Sequence, residues 1–360
     1  MRSDVSNLCL SPEDTLETAL RTLDSTGRGC VLVVDEAGRL MATLTDGDAR
    51  RAILRGIQPS ARIRTWLIDL QRSVPPTTAP VETPLPDLLS LMRAAGVRHI
   101  PLIDDEQRPA GLASVADLLA GPVPSAGSRA LVMAGGKGTR MHPLTLSVPK
   151  PMLSVGDRPI IERLMERLRI TGIRRVSVSL HHMADHIRDF LGNGERFGVD
   201  IDYVQEEVPR GTAGALALID ESDEPVLVIN ADILTTVDFR AMMDFHQEHQ
   251  AALTVAVRNV EVDVPYGVIE VEGTDVRSVV EKPRYSYFAN AGIYVVEARV
   301  YRMVPNDRHY DMTELIEKLC TTGEKVAAFP IFEYWRDVGR PEDYASAQLD
   351  SAIVGKGGAA

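Results

Sequence analysis

An internal repeat fills the first 125 residues and constrains the fold more than any other feature of the sequence. Identical residues recur 69 positions apart without a gap, among them Leu16 and Leu85, Leu20 and Leu89, Gly27 and Gly96, Asp35 and Asp104, Arg39 and Arg108, and Asp48 and Asp117. Each copy has the pattern of a helix, a glycine that ends it, an apolar strand, an acidic turn, a second strand, and a helix that begins at Thr45 or Ser114. The repeat therefore predicts a duplicated pair of β–α units, with copies at residues 1–69 and 70–125.

Segments rich in proline and small residues follow each copy, at residues 73–80 and 121–128. Such segments cannot continue a helix, and they predict linkers. We therefore expect a domain boundary near residue 126, a second domain at residues 128–347, and a C-terminal tail at residues 348–360.

The second domain alternates apolar runs with stretches of helical periodicity, and its first strand, residues 130–134, leads into a glycine cluster. The other predicted strands are residues 176–180, 201–204, 226–229, 253–257 and 292–296. This alternation predicts an α/β domain with a Rossmann-like, mostly parallel sheet, preceded by an α+β repeat domain. In such a sheet, ligands bind at the carboxyl ends of the strands.

Composition excludes several classes of protein. Acidic residues outnumber basic ones by 51 to 39, so the net charge of −12 argues against a nucleic-acid partner. No run approaches the ~18 apolar residues that a membrane helix needs, and the N-terminus lacks the order of a signal peptide. The three cysteines, Cys9, Cys30 and Cys320, form no CxxC pair, which argues against a disulfide framework or a zinc site. We expect a cytoplasmic protein that binds no membrane.

Residues 134–140, Ala-Gly-Gly-Lys-Gly-Thr-Arg, directly follow the first strand of the second domain. Glycines let backbone N–H groups approach phosphate oxygens, so the loop has the outline of a phosphate cradle. Leu131 and Met141 stand where a Walker A loop and a dinucleotide-binding motif would each need a glycine. A tight turn without a ligand is the alternative. Arg140 and Lys150 favour the phosphate site, because both could neutralise a triphosphate.

The same loop, together with Pro149-Lys-Pro151, resembles the signature of sugar-nucleotide pyrophosphorylases, which join a sugar 1-phosphate to a nucleoside triphosphate. The resemblance covers most of residues 128–347 through further motifs in the family's order: Gln205-Glu-Glu, Gly211-Thr-Ala-Gly214, Asn230-Ala-Asp232, Tyr266-Gly-Val-Ile-Glu270, Glu281-Lys-Pro283, Asn290-Ala-Gly-Ile-Tyr294 and Asp337-Val-Gly339. One departure is Asn230-Ala in place of the commoner glycine before Asp232, which leaves the carboxylate in place.

The resemblance implies a role for each matching position. Residues that would hold the nucleotide are Ala134, Gly135, Gly136, Gly138, Thr139, Glu206, Gly211, Thr212 and Gly214. Catalysis would depend on Arg140 at the β and γ phosphates, Lys150 near the reacting phosphates, and Asp232. Asp232 and Asp337 would bind Mg²⁺, whose preferred protein ligands are carboxylates. Residues that would hold the sugar phosphate are Tyr266, Gly267, Glu281, Lys282 and Asn290.

Simpler roles are possible for some of these residues. Asp232 ends an apolar strand, and it could cap a following helix instead of binding a metal. Glu281 and Lys282 could be a solvated pair.

In the repeat domain, Thr45 with Asp48, and Ser114 with Asp117, lie at equivalent strand-to-helix steps. They could be helix N-caps, or the two carboxylates could accept ribose hydroxyls. This domain resembles a tandem CBS module, a family that binds adenine nucleotides between its two repeats and regulates an attached enzyme. The resemblance therefore implies an adenine nucleotide as a possible ligand here.

Residues 145–151 and 211–216 resemble the mannose 1-phosphate guanylyltransferase branch, so we expect GTP as the donor and a hexose, hexosamine or heptose 1-phosphate as the acceptor. Two alternatives stay open: a catalytically silent nucleotide-sugar sensor, and a phosphocholine cytidylyltransferase. Duplicated modules that pair with one another favour a homo-oligomer.

Overall fold

The computed structural model describes residues 5–67, 76–114 and 128–351. Contacts divide the chain into two units, residues 1–126 and 127–360. Each unit is described by itself.

The N-terminal unit contains two equivalent three-stranded sheets, one in each copy of the repeat. The first copy comprises β1 (Cys9–Leu10), α1 (Leu16–Thr26), β2 (Cys30–Val34), β3 (Leu40–Thr45), α2 (Asp46–Leu54) and α3 (Ile63–Leu67). The second comprises β4 (Ala79–Pro80), α4 (Leu85–Ala95), β5 (His99–Ile103) and β6 (Pro109–Ser114). In both copies the middle strand pairs in parallel with the first strand and antiparallel with the third. The predicted duplication is confirmed.

The helices of the two copies end in the same way. α1 stops at Gly27 and α4 at Gly96, and both glycines adopt a left-handed backbone, with φ of 60° and 64°. A side chain is strained in that conformation, so glycine ends the helix at the same place in each copy. The two copies also share a core, because Leu112 from the second packs with Val5, Leu8 and Leu32 from the first.

The linker prediction for residues 73–80 is partly wrong. Ala79–Pro80 forms β4, with Ala79 paired in parallel to Leu102 just as Leu10 pairs with Val33 in the first copy. Proline is tolerated there because β4 is an edge strand, where its missing N–H removes no ladder bond. Residues 68–75 and 115–127 lie outside the described part of the chain.

The C-terminal unit is built on a seven-stranded sheet. Its strands are β7 (Arg129–Met133), β10 (Arg175–Leu180), β11 (Asp200–Gln205), β12 (Val226–Asn230), β14 (Leu253–Asp263), β17 (Arg284–Val296) and β18 (Val326–Ile331). Three two-stranded sheets accompany it: β8 (Ser154–Val155) with β9 (Arg158–Pro159), β13 (Ile233–Thr235) with β19 (Trp335–Asp337), and β15 (Val268–Glu272) with β16 (Asp275–Val280). The helices are α5 (Ile160–Ile170), α6 (Ala184–Leu191), α7 (Gly211–Gly214), α8 (Phe239–His249), α9 (Ala298–Tyr301), α10 (Met312–Thr321) and α11 (Pro341–Leu349).

The strand order of the large sheet is β11-β10-β7-β12-β17-β14-β18. Four of its pairings are parallel, and β17 runs antiparallel to both of its neighbours. Apolar side chains cover both faces in two clusters, one that includes Val132 and Ile229 and another that includes Leu131 and Val228. The predicted α/β fold with a mostly parallel sheet is confirmed.

Two strands are longer than the sequence predicts. β14 and β17 continue past their buried halves as an exposed two-stranded extension, where Val257 to Asp263 pair with Asn290 to Arg284. We call the part of this extension from 258 to 263 and from 284 to 289 the arm. β15 and β16 form a hairpin that continues the arm, and a hydrogen bond from Val264 N to Pro283 O, 3.0 Å long, closes the junction.

The predicted tail also begins too early. Gln348 donates to Ser154 O at 2.7 Å and accepts from Gly156 N at 2.9 Å. Asp350 forms an ion pair with Arg336 at 2.8 Å. Polar contacts therefore fix the chain through Asp350, and residues 352–360 lie outside the described part.

Candidate active site

The carboxyl ends of three neighbouring parallel strands place the glycine loop and Asp232 at one edge of the sheet. β7 lies between β10 and β12, so the glycine loop that follows β7 is flanked by the segments that follow its two neighbours. Ala134 N donates to Ser179 O at 3.0 Å, and Ala231 N donates to Met133 O at 3.1 Å. The ends of β10, β7 and β12 are thereby joined, and Asp232 comes directly after this join.

Asp232 and Asp337 are brought together by the short β13–β19 ladder. Ile233 pairs with Asp337, and Val338 N donates to the carbonyl of Asp232 at 3.1 Å. The two carboxylates are distant in sequence, and this antiparallel pair makes them neighbours.

Lys150 completes the cluster. Its ammonium donates to Asp232 Oδ2 and lies 3.9 Å from Asp337 Oδ1. The side chain of Lys150 is 9% exposed, whereas that of Asp337 is 48% exposed. A buried cation between two carboxylates at the end of a parallel sheet suits a site that handles charged groups.

An apolar cluster holds these segments together beneath the charged groups. Its residues come from the segments after the glycine loop, from β8, α5 and β13, from the position after Asp337, and from α11. They are Met141, Leu153, Val155, Ile160, Leu234, Val338 and Ala347. Leu234 lies two residues after Asp232, and Val338 directly follows Asp337. Packing of this cluster therefore fixes both carboxylates relative to the Lys150 segment.

The carboxylates fit the divalent metal that the sequence predicts. Asp232 Oδ1 is buried and has no hydrogen-bond partner, although its other oxygen is bound by Lys150. A buried polar atom without a partner is costly, so it calls for a ligand. Mg²⁺ prefers one or two carboxylates together with substrate phosphates, which matches Asp232 and the half-exposed Asp337.

The electrostatics of Asp337 agree with this reading. Burial, and then the negative charge of Asp232, raise the pKa of Asp337, while Lys150 and Arg140 oppose the rise. Arg140 itself is exposed in a short 3₁₀ turn, Thr139–Met141, at the end of the glycine loop. Two carboxylates that repel each other are stabilised when a cation binds between them.

The glycine loop is tightly packed at Gly138 and open at Gly136. A Cβ at Gly138, whose φ is 63°, would lie 3.1 Å from Lys150 Cβ and 3.3 Å from Thr145 Cγ2, whereas a Cβ at Gly136 would meet nothing within 4 Å. Thr145 is buried, and its hydroxyl donates to Gly138 O at 2.8 Å. Thr145 is a positioning residue that sequence reasoning missed, although the motif that contains it pointed to the segment.

The second predicted nucleotide loop, α7, is tied to the start of α10. Asp311 Oδ1 accepts from Thr212 N at 2.9 Å and from Thr212 Oγ1 at 3.1 Å, and Thr212 Oγ1 accepts from Met312 N at 2.9 Å. A Cβ at Gly211, with φ of 81°, would lie 2.7 Å from Asp311 Oδ1. Gly214 is likewise crowded, since a Cβ there would lie 2.5 Å from Arg210 Cβ. Asp311 carried no sequence signal, because it lies far along the chain from the loop it holds.

Glu206 lies between the two loops. Its carboxylate accepts from Ser179 Oγ through one oxygen and from Arg210 N at 2.9 Å through the other, and the residue is 5% exposed. A Cβ at Gly135 would lie 3.4 Å from Glu206 Oε1. The carboxylate of Glu206 thus joins the end of β10 to the residue before the Gly211 loop, and its predicted contact with a nucleotide stays a prediction.

Four of the predicted sugar-phosphate residues, Tyr266, Gly267, Glu281 and Lys282, lie where the arm meets the hairpin. Tyr266 is 74% exposed, Glu281 and Lys282 are exposed, and Glu281 lies close to Gly267. Lys282 has a φ of 46°, a left-handed conformation that is uncommon for a residue other than glycine. Within the described residues, no hydrogen bond or ion pair joins these side chains to Asp232 or Asp337.

Asn290 lies nearer to the sheet, opposite Val257 in the ladder. Its Oδ1 accepts from Gly292 N at 2.9 Å. Gly292 in turn has a φ of 69°, and a Cβ there would lie 2.8 Å from Asn230 Nδ2. The motifs of Asn230 and Asn290 are therefore packed against each other, next to Asp232.

In the N-terminal unit, Thr45 and Asp48 form a complete capping box at the start of α2. Asp48 Oδ2 accepts from Thr45 N at 2.9 Å, and Asp48 Oδ1 accepts from Arg51 at 2.7 Å. Asp48 is 1% exposed and Ser114 is buried. The N-cap interpretation of Thr45 is confirmed, and binding of ribose by Asp48 stays a prediction. Asp117 lies outside the described residues.

Comparisons with known proteins agree with this architecture. Residues 129–352 match the family model described as nucleotidyl transferase. The chain belongs to the nucleotidyl transferase family. Residues 1–55 and 69–122 match the CBS domain, so this nucleotidyl transferase carries a tandem CBS module at its N-terminus. Both resemblances inferred from the sequence motifs are confirmed.

Curated relatives of this nucleotidyl transferase include mannose-1-phosphate guanylyltransferases. The catalytic subunit beta from Danio rerio is 33% identical over 225 residues, which are 60% of this chain and 62% of that protein. The enzyme from Mycobacterium tuberculosis (strain ATCC 25618 / H37Rv) is 33% identical over 228 residues, 61% of this chain and 64% of that protein. The chain thus spans less than two thirds of the length of these relatives.

Among solved structures, HddC from Yersinia pseudotuberculosis matches with a TM-score of 0.50 and 28% identity, over 62% of this chain and 99% of that one. Every helix in the described residues is too short or too polar to span a lipid bilayer.

Proposed function

We propose that this nucleotidyl transferase joins a sugar 1-phosphate to GTP, forming a GDP-sugar and releasing pyrophosphate. The observation that carries the proposal is the convergence of Lys150, Asp232 and Asp337 beside the glycine loop, at the carboxyl edge of the sheet. Similarity to the mannose-1-phosphate guanylyltransferases supports GTP as the donor. The acceptor is a hexose, hexosamine or heptose 1-phosphate.

The reaction is a displacement at phosphorus. A phosphate oxygen of the sugar 1-phosphate attacks the α-phosphorus of GTP in line, and the bond between the α-phosphorus and the oxygen that bridges to the β-phosphate breaks. Pyrophosphate leaves with that electron pair. No covalent intermediate with the protein is needed, so catalysis consists of positioning the two anions and stabilising charge.

The chain's own groups suit these tasks. Lys150 is held between the two carboxylates, so its ammonium has a fixed position. Arg140 stands exposed at the end of the glycine loop, where it can bind the β and γ phosphates. Preorganised cations of this kind stabilise a transition state because they need not reorient during the reaction.

Mg²⁺ is the metal we propose for this site, held by Asp232 and Asp337. Asp232 Oδ1 offers the buried oxygen without a partner, and Asp337 offers the half-exposed carboxylate. When bound, Mg²⁺ would neutralise phosphate charge and help to orient the triphosphate.

We also propose that the CBS module binds an adenine nucleotide and regulates transfer. Its two copies share one core, so a ligand between them could alter both copies.

The cytoplasmic location expected from the cysteine pattern stays a prediction.

The experiment is a matrix of nucleotides against acceptors, read as pyrophosphate release with Mg²⁺. ATP, CTP, GTP, UTP and dTTP are each combined with mannose, glucosamine, glucose and heptose 1-phosphates, and with phosphocholine. We expect the highest turnover with GTP and one of the sugar 1-phosphates. Turnover only with CTP and phosphocholine would identify the cytidylyltransferase alternative. Binding of GDP-sugars without release of pyrophosphate in any combination would identify the sensor.

A further inference from the structure

His181 directly follows β10 and lies against the glycine loop. A Cβ at Gly135 would lie 3.2 Å from His181 Cβ and 3.3 Å from the backbone nitrogen of His181. The lack of a side chain at Gly135 therefore lets the loop approach this histidine closely. His181 is half-buried at the carboxyl edge of the sheet, next to the loop that is predicted to hold the nucleotide.

One hydrogen bond fixes the tautomer of His181. Its Nδ1 lies 2.9 Å from the main-chain oxygen of Glu206. A carbonyl oxygen only accepts, so Nδ1 carries the hydrogen and donates it, and the neutral ring has its lone pair at Nε2. Nε2 has no hydrogen-bond partner among the described residues. His181 thus offers a free acceptor beside the glycine loop.

The carboxylate of Glu206 offers a second acceptor. It is buried, and its partners are two neutral donors, the hydroxyl of Ser179 and the backbone N–H of Arg210. In the part of the chain that the structure describes, no cationic side chain forms an ion pair with it. Each carboxylate oxygen can accept a further hydrogen bond, and a buried carboxylate gains from every added donor.

The two acceptors border the same glycine. A Cβ at Gly135 would lie 3.4 Å from Glu206 Oε1 as well as 3.2 Å from His181 Cβ. Guanine carries two donors side by side on one edge, N1–H and the N2 amine. Adenine and cytosine instead have a ring acceptor next to their amine, and uracil and thymine have one N–H between two carbonyls. A pair of acceptors therefore matches guanine best among the bases, since a wrong base would place a lone pair against them.

We propose that His181 is a specificity-determining residue for GTP, whose Nε2 accepts a hydrogen bond from the N2 amine of guanine beside the Glu206 carboxylate. The inference rests on the proposed use of GTP, and it names the side chain that selects this base. The bond from Nδ1 to Glu206 orients the imidazole for that contact. The motifs that indicated the nucleotide loops gave no role to His181.

Inosine triphosphate is the probe for this contact, because its base is guanine without the N2 amine. Calorimetric titration of the full chain with GTP and with inosine triphosphate, both with Mg²⁺ and without a sugar 1-phosphate, measures binding alone. We expect the wild-type protein to bind GTP at least about tenfold more tightly than inosine triphosphate, since the analogue leaves a buried acceptor unpaired.

Two variants of His181 separate the acceptor at Nε2 from the bond at Nδ1. His181→Asn keeps an amide that can donate to Glu206 O but does not reach the position of Nε2, so its preference for GTP should fall to within about threefold of none. His181→Gln extends an amide oxygen to that position, and it should keep most of the preference. His182→Asn, at the neighbouring histidine, is the matched control and should keep the wild-type preference.

Any of three results would overturn the inference: equal binding of the two nucleotides by the wild-type protein, an unchanged preference in His181→Asn, or an equal loss of preference in His182→Asn. The first comparison needs no variant, and thermal melting shows whether each variant is folded. None of these measurements reads transfer. A wild-type protein that releases pyrophosphate from GTP but binds inosine triphosphate equally well would refute the role of His181 and leave the proposed function standing.

Discussion

Two aspartates that follow β-strands, Asp48 in the CBS module and Asp232 in the C-terminal unit, have opposite surroundings. Asp48 has both oxygens bound, by Thr45 and Arg51, within a capping box. Asp232 has one oxygen bound by Lys150, a second buried oxygen without a partner, and Asp337 as a charged neighbour. The hydrogen bonding of the carboxylate is therefore complete for Asp48 and incomplete for Asp232.

The difference shows that the hydrogen-bonding and charged neighbours of an aspartate decide whether it stabilises the fold or binds a ligand. A carboxylate whose hydrogen bonds are all made within the chain stabilises the local fold. A carboxylate left next to another negative charge, with an unpaired oxygen, costs stability and is explained by a ligand.

The largest effect should come from Asp232→Asn. The change removes the anionic partner of Lys150 and one carboxylate of the proposed metal site, so we expect pyrophosphate release to fall roughly a thousandfold. Asp223→Asn is the matched control, because Asp223 is 96% exposed and pairs with Arg302 away from the site. A loss below about tenfold would remove Asp232 from the reaction.

Lys150→Met should have the next largest effect. Methionine keeps much of the length and the apolar stem but removes the charge, so we expect kcat to fall roughly a hundredfold or more. Circular dichroism would show whether the fold is kept. An unchanged kcat with a higher KM for GTP would instead assign Lys150 to ground-state binding.

Asp48→Ala tests whether Asp48 stabilises the N-terminal unit as part of the capping box. Loss of the capping box should lower the free energy of unfolding of the N-terminal unit by about 1–2 kcal/mol. The chain has two tryptophans, Trp66 and Trp335, so in a Trp335→Phe background the fluorescence of the buried Trp66 reports on that unit during urea unfolding. Glu36→Ala, at an exposed turn, is the control.

A different result for Asp48→Ala would break the comparison. If the variant keeps its stability but loses binding of an adenine nucleotide, Asp48 is a ligand residue and not mainly a cap.

The smallest effect, and one of opposite sign, is expected for Asp337→Asn without metal. Because the folded protein raises the pKa of Asp337, ionised Asp337 destabilises the fold at neutral pH, and the variant should melt slightly higher in EDTA. The gap should close as pH falls through that raised pKa, since the wild-type carboxyl then becomes neutral too. A variant that melts lower at neutral pH would contradict the repulsion between Asp337 and Asp232.

The sequence predicted the fold better where elements are buried. The repeat, the strands of the sheet and the capping role of Thr45 follow from local pattern, because apolar periodicity and glycine stops act over a few residues. The exposed halves of β14 and β17 are not predicted by the sequence. The predicted strand 253–257 stops where the buried half of β14 ends, and the predicted strand 292–296 starts where the buried half of β17 begins. Small strands such as β13 and β19 carry too few residues to show a pattern.

The glycine loop, Arg140 and Lys150 indicate a phosphate site by themselves, but the pairing of Asp232 with Asp337 was predicted only through family resemblance. Nothing in the spacing of Asp232 and Asp337 indicates that they meet, because the β13–β19 pairing that joins them is a long-range contact. The same holds for Asp311, which holds the Gly211 loop from a distant helix start. Bonds of this kind depend on tertiary packing, which a local pattern does not record.

Binding of Mn²⁺, measured by electron paramagnetic resonance in the presence of a non-hydrolysable GTP analogue, tests the shared metal site most directly. We predict one tightly bound ion per chain in the wild-type protein and in Asp223→Asn, and binding weakened at least about tenfold in Asp337→Asn, since a carboxylate ligand is lost. Equal affinity in Asp337→Asn and the wild-type protein would contradict the claim that Asp232 and Asp337 hold the metal together.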